Sequence, residues 1–153
     1  MRWLMWLFVV GICTSCGGSK PETLIEGGYD EQQMAAAITR ARSEVDMFID
    51  TLSRGEGSDF AVKVPIEDKG ETEHFWLTDI TYRDGKFEGK IGNDPGIVTN
   101  VRFGQTVTVA KDEISDWLFM RDAKMYGNYT LRPLLATMPE EEAAKYRSML
   151  AEP

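Results

Sequence analysis

Apolar and polar residues alternate, turn and alternate again from Gly104 to Leu135 (GQTVTVAKDEISDWLFMRDAKMYGNYTLRPLL), the pattern of an antiparallel sheet around which the other elements pack. Within it Thr106-Val107-Thr108-Val109 reads as a strand and Lys111-Asp112-Glu113 as a turn. Ile114 to Met120 returns as a second strand, and Asp122-Ala123 closes a hairpin onto Met125 to Leu131. Upstream, Phe60, Val62 and Val64 alternate with Ala61 and Lys63 in a strand that Pro65 is expected to end. The segment HFWLTDITY, residues 74 to 82, carries apolar side chains on both faces, so it belongs at the centre of the sheet. Asp84-Gly85 supplies a two-residue hairpin turn onto Phe87, Gly89 and Ile91, and Asn93-Asp94-Pro95-Gly96 turns the chain again.

A different period precedes the strands. Met34, Ile38, Ala41, Val45, Phe48, Ile49 and Leu52 recur at three- and four-residue spacing, which predicts one amphipathic helix of about 24 residues. Asp30 caps its start with Gln33 completing a near capping box, and Gly55 stops it. Its mixed, partly acidic polar face favours packing on the sheet over contact with an anionic membrane. Thr137 with Glu140 predicts a capping box for a short final helix, EEEAAKYRSML, docking through Ala144 and Met149. The fold class expected is α+β: a long N-terminal helix packed on a curved antiparallel sheet or partly open barrel of about six strands, with a short C-terminal helix.

The first sixteen residues do not belong to that body. MRWLMWLFVVGICTSC has one charge at Arg2, an apolar run too short to span a bilayer as a helix, and small residues before a cysteine. It resembles a bacterial lipoprotein signal, with Cys13 where leucine is usual and Cys16 the residue expected to receive the lipid. The division expected is therefore an export signal over 1–15, a lipidated cysteine and flexible tether over 16–29, and one domain over 30–153. As a coil, GGSKPETLIEGGYD would span about 20 Å. Gly17 after the cysteine resembles proteins sorted to the outer membrane, so the expected location is the cell envelope, lipid-anchored and facing the periplasm.

Composition narrows the chemistry. The 153 residues carry a net charge of −8, and the leader's only charge is Arg2, so the body is acidic and disfavours a nucleic-acid partner. Both cysteines, Cys13 and Cys16, lie in the leader, which leaves the body without a thiol nucleophile or cysteine-ligated metal. His74 is the only histidine, and no cofactor-binding motif or metal-ligand spacing is present. Ser115 lacks the setting of a hydrolase nucleophile.

His74-Phe75-Trp76, Phe87-Glu88-Gly89, Asn93-Asp94-Pro95, Gly104-Gln105, Ile114-Ser115-Asp116-Trp117 and Gly127-Asn128-Tyr129-Thr130-Leu131-Arg132 together resemble the bacterial YegJ family, a domain of unknown function. The resemblance covers roughly residues 30 to 135 and implies one domain but no activity; Ala123 stands where such sequences look more like Asp-Gly.

The candidate binding residues are His74, Trp76, Asp116, Trp117, Tyr129 and Arg132. Asp116 among apolar neighbours needs a partner, for which Arg132 in the next predicted strand is available. The structural alternative is a register-fixing Asp–Arg or Asp–amide link. Trp76, Trp117, Tyr126 and Tyr129 either line a groove or pack in the core. The leading expectation is a non-enzymatic protein- or peptide-binding module, one version being an immunity-type inhibitor. The alternative is a hydrolase of envelope material using His74 and Asp116.

Overall fold

The computed structural model describes residues 28–152 and, before them, two short strands, Trp3–Trp6 running parallel to Thr72–His74 and Leu24–Ile25 running antiparallel to Met5–Trp6. The expectations for the export signal, Cys16 and the tether otherwise lie outside the described residues. Two helices, α1 (Glu31–Ser43) and α2 (Val45–Arg54), lead into β1 (Ser58–Asp68), β2 (Glu71–Arg83) and β3 (Lys86–Ile91). Then follow β4 (Thr106–Ala110), a 3-10 turn (Lys111–Glu113), β5 (Asp116–Arg121) and β6 (Lys124–Gly127). The chain finishes with α3 (Leu131–Leu134) and α4 (Glu140–Met149). The fold is α+β, and β1 to β6 form an open, curved antiparallel sheet in the order β4-β3-β2-β1-β5-β6, with the two short strands beside the start of β2.

Two irregularities bend the sheet. In β2 the register shifts between Thr78 and Thr81, with Asp79 at φ 50°. Opposite it sits Gly89, where a Cβ would lie 2.8 Å from Ile80 Cγ2 and 3.0 Å from the Thr78 carbonyl, so only glycine fits the tight bend. The second shift lies between Ser58 and Ala61 of β1, with Asp59 at φ 54°. Both hairpin turns expected from Asp84-Gly85 and Asp122-Ala123 form, and all four residues have positive φ.

The core has two parts, one on each side of the sheet. On one face Val62, Val64, Phe75, Leu77, Trp117 and Phe119 pack under Val45 and Phe48 of the helices. On the other, Ala61, Trp76, Leu118 and Met125 are covered by Leu131, Leu134 and the α4 residues Ala143 and Tyr146. This double cover explains why β2 reads as apolar on both faces.

Four sequence expectations are corrected. The long helix is two helices meeting at Glu44 (φ −104°, ψ 5°), whose carboxylate binds Arg40 Nε at 2.9 Å and the Tyr129 hydroxyl. The apolar stripe runs on through the junction, so periodicity alone could not reveal it. Pro65 does not end β1: pairing with β5 stops at Lys63–Asp116, so the missing N–H of Pro65 faces a side that carries no ladder. The final strand stops at Gly127 because Gly127 and Asn128 both take positive φ and redirect the chain, and Arg132 falls in α3. Helix α4 has Pro139 at its cap; Thr137 donates instead to the Leu134 carbonyl, and Ala143 and Tyr146 rather than Ala144 are buried.

Candidate functional site

Asp116 is the centre of the most organised polar cluster. It opens β5 directly opposite Lys63 and is fully buried. Its carboxylate accepts from the backbone N–H groups of Trp117 (2.9 Å), Tyr129 (3.2 Å) and Thr130 (2.7 Å), and from the Thr130 hydroxyl at 2.6 Å. The consecutive left-handed residues Gly127 and Asn128 aim the last three donors at it. At Gly127 a Cβ would stand 2.2 Å from the Trp117 carbonyl, so the glycine is sterically required. The I-S-D-W and G-N-Y-T segments thus form one unit, a buried carboxylate and the turn wrapped around it.

Lys63 completes the cluster, and sequence reading missed it. Its Nζ donates to Thr130 Oγ1 at 3.1 Å and lies 4.9 Å from the Trp76 ring centroid. Simple alternation along β1 placed Lys63 on the face opposite Val62 and Val64, which would be solvent in a two-layer fold; here α3 and α4 cover it. The available signal was register, since Lys63 pairs with Trp76 across β1 and β2. Burial lowers the Lys63 pKa to about 8, against the pull of Asp116. Burial likewise raises that of Asp116, opposed by Lys63, the Thr130 hydroxyl and the Thr130 and Trp117 amides. The two side chains are joined through the Thr130 hydroxyl, which accepts from Lys63 and donates to Asp116 inside the fold.

His74 Nδ1 lies 2.9 Å from Ser115 Oγ, and the serine Oγ is 3.3 Å from the Lys63 carbonyl. Both residues are buried, at 1% and 2% exposure. Burial, with Lys63 and Arg42 adding to it, lowers the His74 pKa to about 3, so the ring is neutral across the physiological range. The neighbouring Glu73 faces the other way and accepts from the backbone N–H groups of Gly96 (2.8 Å), Ile97 (3.0 Å) and Val98 (3.1 Å), holding the β3–β4 connection. This anion nest was not anticipated; an acid flanked by strand residues carries no sequence mark of it.

The aromatics Trp76, Trp117 and Tyr129 are all buried. Trp117 stacks on Phe48 at 5.2 Å, and its indole N–H donates to the Ala41 carbonyl at 2.8 Å. Tyr129 meets Trp117 edge-on at 5.6 Å and gives its hydroxyl to Glu44; burial, with that bond added, raises its pKa to about 12. These contacts fasten the α1–α2 junction to the sheet. Arg132 does not reach Asp116: its Nη2 donates to the Ala151 carbonyl at 3.1 Å, and the residue lines a shallow cleft with Leu135, Arg147 and Leu150. A second open cleft, of about 400 Å³, lies between β1 and β4 beside Arg42.

The model of a family described as "Uncharacterized protein conserved in bacteria (DUF2314)" matches residues 31–151. The chain belongs to this family. It is 49% identical over 151 residues to a protein named "Uncharacterized protein YegJ" of Escherichia coli, covering 98% of this chain and 99% of that one. It is also 43% identical over 94 residues to a putative ankyrin repeat protein of Neisseria meningitidis serogroup B, covering 58% of this chain and 37% of that protein. No solved structure matches. The family match therefore spans the whole Asp116 cluster.

Proposed function

We propose that this protein is a non-catalytic binding module of the cell envelope, tethered through lipid on Cys16, whose folded body meets a protein or peptide partner in the periplasm. The observation that carries this reading is the placement of its reactive side chains. His74, Ser115, Asp116 and Lys63 are each no more than 2% exposed, and the donors and acceptors around Asp116 are spent inside the fold. A catalytic group must come within hydrogen-bond reach of its substrate, and neither surface cleft is lined by these residues. What remains outside is an acidic surface suited to a basic protein, as an immunity-type inhibitor would need. A relative named as a putative ankyrin repeat protein supports the reading, since the 94 residues it shares with this chain are 37% of its own length.

The test is in-cell photo-crosslinking of the full chain, followed by fractionation. One reproducible envelope-protein adduct is expected, with the unreacted chain in the membrane fraction. One contact favours the alternative of a hydrolase: the 2.9 Å approach of His74 to Ser115 pairs a base with a hydroxyl. Turnover of an envelope substrate that disappears on His74→Ala would establish that alternative and overturn the module.

A further inference from the structure

Strand β4 is the margin of the sheet that no described strand covers. It pairs with β3 from Lys90–Thr106 to Lys86–Ala110 and with nothing on its other side among the described residues. Bonds from Ile91 N–H to the Gln105 carbonyl and from Lys111 N–H to the Gly85 carbonyl, both 2.9 Å, fix which residues turn inward. Gln105, Val107 and Val109 direct their backbone groups to β3, so Thr106, Thr108 and Ala110 direct theirs outward. The Ala110 N–H is already taken by Glu113 Oε2 at 2.8 Å. Thr106 and Thr108 therefore present an open pair of donors and acceptors, with exposed side chains that bury nothing.

The other wall of the cleft comes from β1 after β5 has left it. Val64 and Pro65 of β1 and Val109 of β4 give it an apolar floor. This wall cannot pair with a strand, because Pro65 has no N–H and the Glu67 carbonyl accepts from Asn100 Nδ2 at 2.8 Å. An incoming strand is thereby directed to β4. The rim carries Glu67, Asp112 and Glu113 against one cation, Arg42, whose Nε is held by the Ile114 carbonyl at 2.8 Å. Neither Glu67 nor Asp112 forms an ion pair among the described residues. Phe103, 62% exposed, stands just before the strand begins.

We propose that this cleft receives an extended segment of a partner protein that adds to β4 as a strand, with apolar residues over Pro65 and Val109 and lysine or arginine at the Glu67–Asp112 rim. Backbone pairing gives the attachment and the rim selects charge. The site rests on the binding-module reading, and it names where and what kind of partner that module takes.

The probe is a ten-residue peptide of alternating lysine and valine, with a glutamate–valine peptide as its control, titrated into the isotope-labelled full chain. The lysine peptide should shift Thr106 to Ala110 and slow exchange of the Thr106 and Thr108 amides. Thr108→Pro removes the outward N–H at an exposed edge position, and should weaken binding about tenfold with an unchanged circular dichroism spectrum. Asp112→Asn with Glu67→Gln should weaken it as well, more at low salt than at high. The site falls if β4 is unaffected by the lysine peptide, if Thr108→Pro binds as well as the parent, or if the glutamate peptide binds equally. Crosslinking to the envelope partner that survives Thr108→Pro removes this site and leaves the module; absence of any partner removes the module itself.

Discussion

Replacing Asp116 with alanine strips four hydrogen-bond donors of their acceptor in a fully buried site and leaves Lys63 without its counter-charge. Loss of one partner of a buried pair costs about 3–5 kcal/mol, and orphaned amides lie within that sum rather than on top of it. Against the roughly 5–15 kcal/mol that holds a domain of this size, the variant sits near its unfolding threshold at ambient temperature. Lys63→Met costs less, about 1–3 kcal/mol, because Asp116 keeps all its donors while the methionine stays against Trp76. The double variant should be less damaged than the sum of the singles by about 1–3 kcal/mol, since the charge left stranded by each single change is absent from it. Urea midpoints followed by circular dichroism on the full chain measure the cycle. A loss under about 1 kcal/mol for Asp116→Ala, or strict additivity, would refute the claim that this cluster organises the fold.

Three further outcomes follow from the same geometry. His74 has a folded pKa of about 3 against 6.5 when exposed, so the neutral form is favoured by folding and its contribution is intact above pH 6.5. As pH falls from 6.5 towards 3 only the unfolded chain gains the proton, and about 1.4 kcal/mol is lost per unit; His74→Asn should flatten that part of a stability–pH curve, and an unchanged slope would contradict the burial. Gly127→Ala drives a methyl into the Trp117 carbonyl and ring at positive φ, so a loss of at least about 3 kcal/mol is expected in thermal unfolding. Ala123→Gly relieves a residue at φ 60° in an exposed hairpin turn and should raise stability by about 0.5–1 kcal/mol.

The elements that were legible in the sequence are those whose signal is local. Asp30 caps α1 by accepting from Gln32 and Gln33 at 2.8 and 3.0 Å, Gly55 ends α2 in the left-handed region, and Asp84-Gly85 turns as its chemistry demands. What was not legible depends on residues far apart in the chain. Glu44 breaks the helix because Tyr129, 85 positions later, takes its carboxylate. Lys63 is buried because α3 and α4 cover a face that alternation alone assigns to solvent. Asp116 was recognised as needing a partner, but Arg132 was the nearest sequence candidate and three backbone amides and a hydroxyl meet that need instead. Backbone donors have no letter in a sequence, and the same holds for the nest around Glu73.

The central claim is that this body works by surface contact through β4 while its buried polar residues only hold it together. Placing a photo-crosslinking side chain at Thr108 of the full chain in intact cells tests it most directly. One discrete adduct is expected, whose crosslinked peptide is extended and carries lysine or arginine, and which vanishes when Thr106 is also changed to proline. No adduct at Thr108, together with substrate turnover that is lost on His74→Ala, would contradict it.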